Sequence, residues 1–391
     1  MPLANALLAA EQLGQPEPRF PLELVFCPSC TLLQLTETIS RESLFSEYPY
    51  FSSYSDTMLG HARCLVDRLA EERRLGRGSL AIEVASNDGY LLQYYRDRGI
   101  PVLGIEPAAN IAKVAEEKGI QTLCRFFNEA LAQELAAKGQ RGSVVHAHNV
   151  LAHVDDLNGF ARGLRAVLRD DGIAVVEVPY VRDMITGGEF DTIYHEHLCY
   201  FSLAALTQLF SRHRLTVRDV ERLPVHGGSL RVFLARDDGG ADGYRLAGVS
   251  VLLAEERAWK VEQIAPYRAF GGRVEALRRD LMELLHRVKA DGKRVAAYGA
   301  SAKGNTLLNY FGIGRDLVEF VADRSPVKQG RFTPGTHLPI VPPATLLDSM
   351  PDYALLLCWN LVDEIVAQQQ EYLARGGQFI VPIPELKVVG A

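Results

Sequence analysis

Residues 194–197 read Tyr-His-Glu-His, a carboxylate between two imidazoles with a phenol alongside, just beyond the strand-like run VVEVPY. Moving a proton near neutral pH calls for an imidazole with a carboxylate and a phenol beside it, and His197, Glu196 and Tyr194 supply that set. His195 and His197, two positions apart, can also face one metal ion from an extended segment, but no third ligand stands close by in sequence. A second group lies in IEVASNDGYLL: Glu83 closes a strand-like run, and Ala85, Ser86, Asn87, Asp88 and Gly89 form a small-residue loop ahead of Tyr90 and Leu91. In VLGIEP, Glu106 and Pro107 stand at the end of the next strand, where a carboxylate accepts both hydroxyls of a ribose. Asn149, Val150, Leu151 and His153 of HNVLAHVDD, together with Phe127, complete a candidate nucleoside pocket. The loop ASNDGY lacks G-x-G-x-x-G, so the spacing favours a methionine-derived nucleoside over NAD. His146 and His148 alternate along a strand and read as packing residues.

Such groups need a frame. From Ser79 the chain alternates strand, loop and helix through SLAIEVAS, VLGIEP, SVVHAHNV and IAVVEVPY, the pattern of a parallel sheet with helices on both faces. Ligands of such sheets bind outside the carboxyl ends of the strands. LTVRDVERLP and GSLRVFLAR read as two closing strands before the Gly-rich, charged break RDDGGADG. One long helix is expected from about Val249 to Ala290, and a second alternating unit follows from RVAAYGA to QFIVPIP. The expected architecture is α/β: a small N-terminal module (1–74), a central Rossmann-like sheet domain (75–237) and a second doubly wound α/β domain (238–391).

Composition narrows the classes. The net charge of −6 and the lack of a long basic stretch argue against nucleic acid. No run of about 18 apolar residues and no signal-peptide pattern occur, so a cytoplasmic protein without membrane contact is expected, a monomer or weak homo-oligomer. Six cysteines with one close pair, Cys27 and Cys30, suit a reducing compartment.

The stretches FCPSCTLLQLTE, LFSEYPYFSSYSD, EVASNDGYLL, GIEPAANIAKVAEEKGI, EFDTIYHEH, RLPVHGGSLRVF and YGASAKGNTLLNYFGI occur in this order. Taken together, the chain resembles the sugar C-methyltransferases of deoxysugar biosynthesis, which methylate C-3 of nucleotide-linked 4-keto-6-deoxyhexoses. The resemblance implies an N-terminal zinc-type module, a central S-adenosylmethionine domain and a C-terminal domain that helps hold the nucleotide-sugar, with TDP as its expected nucleotide. It also implies His197 as the catalytic base, Tyr194 and Glu196 as its partners, and Tyr48 or Tyr50 reaching into the active site. For the sugar nucleotide it points to His226, Gly227, Gly228, Ser229 and Arg231, and to Ala300, Ser301, Lys303, Gly304 and Asn305, where a strand-to-helix turn offers backbone amides to phosphate.

Two departures stand out. Relatives carry two CxxC pairs, whereas Cys27 and Cys30 make one, and two thiolates are half of a tetrahedral zinc site. Ala85 occupies a position where methyltransferases usually have glycine. The rival readings are an NAD-dependent oxidoreductase or epimerase acting on a nucleotide-sugar, and a binding protein that has lost catalysis.

Overall fold

The computed structural model describes residues 1–45, 51–237 and 247–390, with the side chains of Phe45 and His226 left out. Near the start, β1 (Leu24–Phe26) and β2 (Leu33–Leu35) form an antiparallel hairpin carrying Cys27 and Cys30 at its turn. The central strands are β3 (Ala81–Val84), β4 (Val102–Ile105), β5 (Thr122–Leu123), β6 (Gly142–His148) and β7 (Leu168–Pro179). After them, β8 (Cys199–Tyr200) leaves the central layer to pair with β2, so the small sheet has the order β1-β2-β8. This pairing brings the loop that precedes β8, with its Tyr-His-Glu-His run, against the N-terminal residues.

With β9 (Leu215–Leu223) and β10 (Ser229–Arg236) the central sheet has the order β5-β4-β3-β6-β7-β10-β9. β10 runs antiparallel to both of its neighbours and the other pairings are parallel. The order reverses between β3 and β6, which opens a crevice at their carboxyl ends. Valine-rich β6 and β7 are buried on both faces, as strands covered by helices on each side must be.

Helix Asp56–Glu72 begins on the side chain of Ser55, which accepts the Met58 N–H at 3.3 Å. It buries Met58, Ala62, Leu65, Val66, Leu69 and Ala70, spaced three and four apart, against the central sheet and its neighbouring helix. The single long helix expected after residue 249 is two helices, Ala247–Trp259 and Ala265–Ala290. Lys260 between them takes a left-handed φ of 67°, and Pro266, which has no N–H to give, starts the second helix afresh.

The C-terminal strands β11 (Val295–Tyr298), β12 (Val321–Ala322), β13 (Ile340–Val341), β14 (Tyr353–Leu356), β15 (Gln378–Val381) and β16 (Lys387–Val389) form a sheet of order β13-β12-β11-β14-β15-β16. All its pairings are parallel except β15 with β16. Its order reverses between β11 and β14, so the chain has a second crevice of the same kind. Residues 1–8 are bound to this domain: Leu8 and Phe332 exchange both backbone hydrogen bonds at 2.9 Å, and Asn305 Nδ2 donates to the Ala4 carbonyl at 2.7 Å.

Candidate active site

The two crevices open onto one cavity of about 350 Å³. One wall comes from the carboxyl ends of β3, β4 and β6: Ala85, Asn87, Tyr90, Glu106, Pro107, Asn149 and Val150, with Phe127 nearby. The facing wall holds Ser301, Ala302 and Lys303 after β11, and Cys358, Asn360 and Leu361 after β14. Thr192, Tyr194 and His197 stand between the two.

The first wall is shaped by its backbone. Ala85, Asn87 and Asn149 have φ of 54°, 49° and 53°, the left-handed region that L-residues enter only at a cost. At Gly89 (φ 77°) a Cβ would stand 2.7 Å from the Ile120 side chain, so only glycine fits. Glu106 accepts the backbone N–H of Asn87 and of Ala108, one on each oxygen, both at 2.9 Å. A carboxylate has about four acceptor positions, so hydroxyl donors can still be taken up from the cavity side. Burial pushes its pKa up to about 7, against the pull of those two N–H groups. The loop is clamped from outside, because Asn87 Oδ1 accepts the Ser52 N–H at 2.8 Å and Asp88 pairs with Lys118 Nζ at 2.7 Å and with the Ser53 hydroxyl. A carboxylate at the strand end beside a tightly turned loop fits the adenosine part of S-adenosylmethionine.

Between the walls, His197 Nδ1 donates to the Thr192 carbonyl at 2.8 Å. A carbonyl only accepts, so in the neutral ring Nδ1 carries the hydrogen and the lone pair is on Nε2. Nε2 accepts the Tyr194 O–H at 2.9 Å, and the two rings lie 4.1 Å apart. His153 packs against His197 with ring centroids 4.9 Å apart and donates from Nδ1 to the Glu196 carbonyl at 2.7 Å. Burial lowers the His153 pKa to about 4, which keeps it neutral at physiological pH. The Glu196 carboxylate accepts from Asn5 Nδ2 at 2.6 Å, and Asn5 itself lines the cavity.

On the facing wall, the Ser301 hydroxyl caps helix Ala302–Phe311 by accepting the Gly304 N–H at 3.0 Å. Lys303 Nζ sits 4.8 Å over the Trp359 ring, whose Nε1–H donates to Asp191 at 2.7 Å. Burial raises the Glu189 carboxyl to about 7 and also raises Asp191, in both cases opposed by the charge of Lys303.

Other residues singled out in the sequence stand elsewhere. Tyr48 and Tyr50 lie outside the described residues, as does the side chain of His226. Glu83 is fully buried in β3, away from the cavity wall, and burial raises its carboxyl pKa well above the usual range. Ser86, Asp88, Gly89, Leu91 and Leu151 support the wall from behind without forming its surface. Gly227 and Gly228 form a turn whose missing Cβ atoms leave room for the carboxylates of Glu189 and Asp183, and Ser229 bonds back to the Val225 carbonyl at 3.0 Å. Arg231 is buried in ion pairs with Glu177 and, at 2.8 Å, with Glu221. Gly227, Gly228, Ser229 and Arg231 therefore stand away from the cavity wall. Gly304 and Asn305 lie inside the helix that Ser301 caps, and Asn305 holds Ala4.

The cavity also takes in residues that no motif marked. Asn5 and Arg41 come from the N-terminal segment, and Lys328 from the C-terminal domain, where its Nζ donates to the Ala300 carbonyl at 2.8 Å. His148, read as a packing residue, does pack, bonded to His146 at 2.9 Å and to Glu177 at 3.2 Å, yet it also reaches the cavity. Lys328 and Asn360 follow strand ends of the second sheet, which was a usable signal; Asn5 and Arg41 gave none.

Comparison with known proteins decides the family. The chain is 40% identical over 390 residues to C-methyltransferase NovU of Streptomyces niveus, a match covering all of this chain and 92% of that one. The chain belongs to the S-adenosylmethionine-dependent C-methyltransferases. Family models agree: a methyltransferase domain matches residues 58–220, and a C-methyltransferase C-terminal domain matches 224–384. Among solved structures, magnesium protoporphyrin IX methyltransferase of Synechocystis PCC 6803 with bound S-adenosylmethionine is 14% identical, at a TM-score of 0.35 over 46% of this chain and 82% of that one. The 1,6-didemethyltoxoflavin-N1-methyltransferase of Burkholderia thailandensis is 17% identical, at 0.34 over 46% and 78%. Membership makes this methyltransferase an enzyme that takes its methyl group from S-adenosylmethionine, and sets aside the nicotinamide and non-catalytic readings.

A zinc-binding type of domain matches residues 1–45. Cys27 and Cys30 stand at the hairpin turn, and among the described residues no group of three or more His, Cys, Asp or Glu side chains is placed to hold a metal. These residues do not make a zinc site. Among the described residues, no helix is long and apolar enough to cross a membrane.

Proposed function

We propose that this C-methyltransferase acts on a nucleotide-linked 4-keto-6-deoxy sugar, with TDP as the nucleotide, and places the methyl group on C-3. A C–H bond becomes acidic enough to break at an enzyme's pH when a carbonyl adjoins it, and a 4-keto group does this for its two flanking carbons, C-3 and C-5. The observation that carries the reading is the fixed tautomer of His197, with its Nε2 lone pair in the cavity between the two walls.

In this account His197 Nε2 takes the C-3 hydrogen as a proton, and the C–H electron pair moves into an enolate whose negative charge rests on the C-4 oxygen. A positioned base of this kind contributes about 10²- to 10⁴-fold. The Tyr194 hydroxyl, released from Nε2 as that nitrogen gains its proton, is a donor available to the new oxyanion. Neutral His153 packs against His197 without adding a charge that would oppose its protonation. S-adenosylmethionine supplies a methyl group on a sulfonium, the electrophile that the enolate carbon needs. Glu106 and the Ala85–Tyr90 loop hold the donor's nucleoside, while Ser301 and Lys303 receive the sugar nucleotide, Lys303 countering its phosphate charge. We also place the enzyme in the cytoplasm, a reading supported by six unpaired cysteines.

The test is the product formed from S-adenosylmethionine and a panel of TDP-4-keto-6-deoxyhexoses. A gain of one CH₂ unit in mass, with the new methyl carbon coupled to C-3 in the NMR spectrum, is expected. A methyl on oxygen or nitrogen contradicts the proposal, and a methyl on C-5 moves the proton transfer to the other flank of the ketone.

A further inference from the structure

We propose that Asn5 is a positioning residue of the reaction: its side-chain amide, delivered by the C-terminal domain, fixes the Glu196 carboxylate beside His197. The inference rests on the proposed function and on the role as partner of His197 that the family resemblance implies for Glu196. Asn5 is far from every motif, yet its Nδ2 donates to Glu196 Oε1 at 2.6 Å and its side chain lines the cavity.

The amide arrives already aimed. On one side of Asn5, the Ala4 carbonyl is held by Asn305 Nδ2 at 2.7 Å; on the other, Leu8 and Phe332 exchange two backbone bonds. Pro2, Ala4 and Leu8 are buried, so the backbone that carries Asn5 is part of the C-terminal domain's surface. Asn305 belongs to the helix whose first turn presents Ser301 and Lys303 to the cavity. The wall assigned to the sugar nucleotide therefore also sets the position of Glu196, a residue of the other domain.

The chemistry of an amide suits the task. Nδ2 is a donor that carries no charge, so it stabilises an ionised carboxylate without neutralising it, and hydrogen bonds to charged groups are the stronger kind. The backbone carbonyl of Glu196 is held as well, by His153. With both ends fixed, the carboxylate of the residue preceding His197 is held in one orientation.

The experiment measures methylation of a TDP-4-keto-6-deoxyhexose against pH for the wild type, Asn5→Ala, Asn5→Asp, Glu196→Ala and the double variant Asn5→Ala/Glu196→Ala. Asn5→Ala should lower kcat about 10-fold, the worth of a charge-assisted hydrogen bond, with KM for S-adenosylmethionine unchanged. Asn5→Asp should be worse than Asn5→Ala at alkaline pH, where two carboxylates oppose each other. It should recover as pH falls and the introduced carboxyl, once protonated, donates in the amide's place. The double variant should be no slower than Glu196→Ala alone. Wild-type kcat across the pH range in both Asn5 variants, or losses that simply add to that of Glu196→Ala, would overturn the inference. If Glu196→Ala is impaired while Asn5→Ala is not, only the role of Asn5 falls. If Glu196→Ala itself turns over like the wild type, the premise about Glu196 falls and takes the inference with it.

Discussion

His197 Nε2 accepts the Tyr194 O–H at 2.9 Å while the rings of the two residues pack against each other, tilted by 37° with centroids 4.1 Å apart. The phenol is thus both a lid on the imidazole lone pair and the donor closest to it. Replacing Tyr194 by Phe keeps the ring contact and deletes the hydroxyl. It should lower kcat about 10-fold through the lost hydrogen bond, with the affinity for S-adenosylhomocysteine unchanged. Steady-state kinetics together with calorimetric titration check this, and a Tyr194→Phe enzyme at full speed removes the phenol from the mechanism.

If Glu106 holds the donor's ribose as proposed, donor binding should depend on pH. Its carboxyl titrates at about 7 because it is buried, and ribose hydroxyls favour the ionised form. The dissociation constant of S-adenosylhomocysteine should therefore rise as pH falls below 7, approaching tenfold per unit, and the rise should vanish in Glu106→Gln. The ligand-free protein should show the opposite trend in stability. A carboxyl whose pKa is higher folded than unfolded stabilises the fold fully below its unfolded pKa, and that contribution is lost as pH climbs to about 7. The loss amounts to about 3 kcal/mol at most, and urea titrations of the wild type against Glu106→Gln measure it.

Ala85 holds a left-handed φ of 54° on the cavity wall. Ala85→Gly relieves about 1–2 kcal/mol of backbone strain and gives back about 0.5–1 kcal/mol in chain entropy, so its melting temperature should stay level or rise slightly. Ala85→Val places a β-branched side chain in the same conformation and should lower both the melting temperature and the affinity for S-adenosylhomocysteine. Thermal melts with and without that ligand separate the two effects.

Arg231 stands in a cluster with Glu177, Glu221 and His61 rather than at the cavity. Burial pushes the Glu177 carboxyl up, but His148, His61 and Arg231 together hold it well below the usual carboxylate range. Removing one partner of a buried ion pair costs about 3–5 kcal/mol, so Arg231→Ala should unfold at markedly lower denaturant. The KM for the sugar nucleotide should remain near the wild-type value in whatever fraction stays folded.

The central sheet and its pocket were legible because alternating strands and loops leave a repeating pattern. Glu106, Asn87 and Asn149 stand on the cavity because residues at strand ends of a doubly wound sheet have few other places to go. Gly227 and Gly228 show the limit of that reasoning. A loop that approaches a ligand and a turn that approaches Glu189 and Asp183 use the same glycines, and only packing tells them apart. The break at Lys260 was hidden because apolar spacing continues on both sides of it. Asn5 left no trace, since its role depends on a contact 191 residues away.

The central claim is that His197 makes a carbanion equivalent next to a ketone, and proton exchange tests it without the methyl step. A TDP-4-keto-6-deoxyhexose is incubated in D₂O with the enzyme and S-adenosylhomocysteine, and the C-3 and C-5 proton signals are followed by NMR. The account predicts loss of the C-3 signal with the wild type and a rate lower by about 10²- to 10⁴-fold with His197→Asn, whose binding of S-adenosylhomocysteine is unchanged. Equal exchange at C-3 in the two proteins would contradict it.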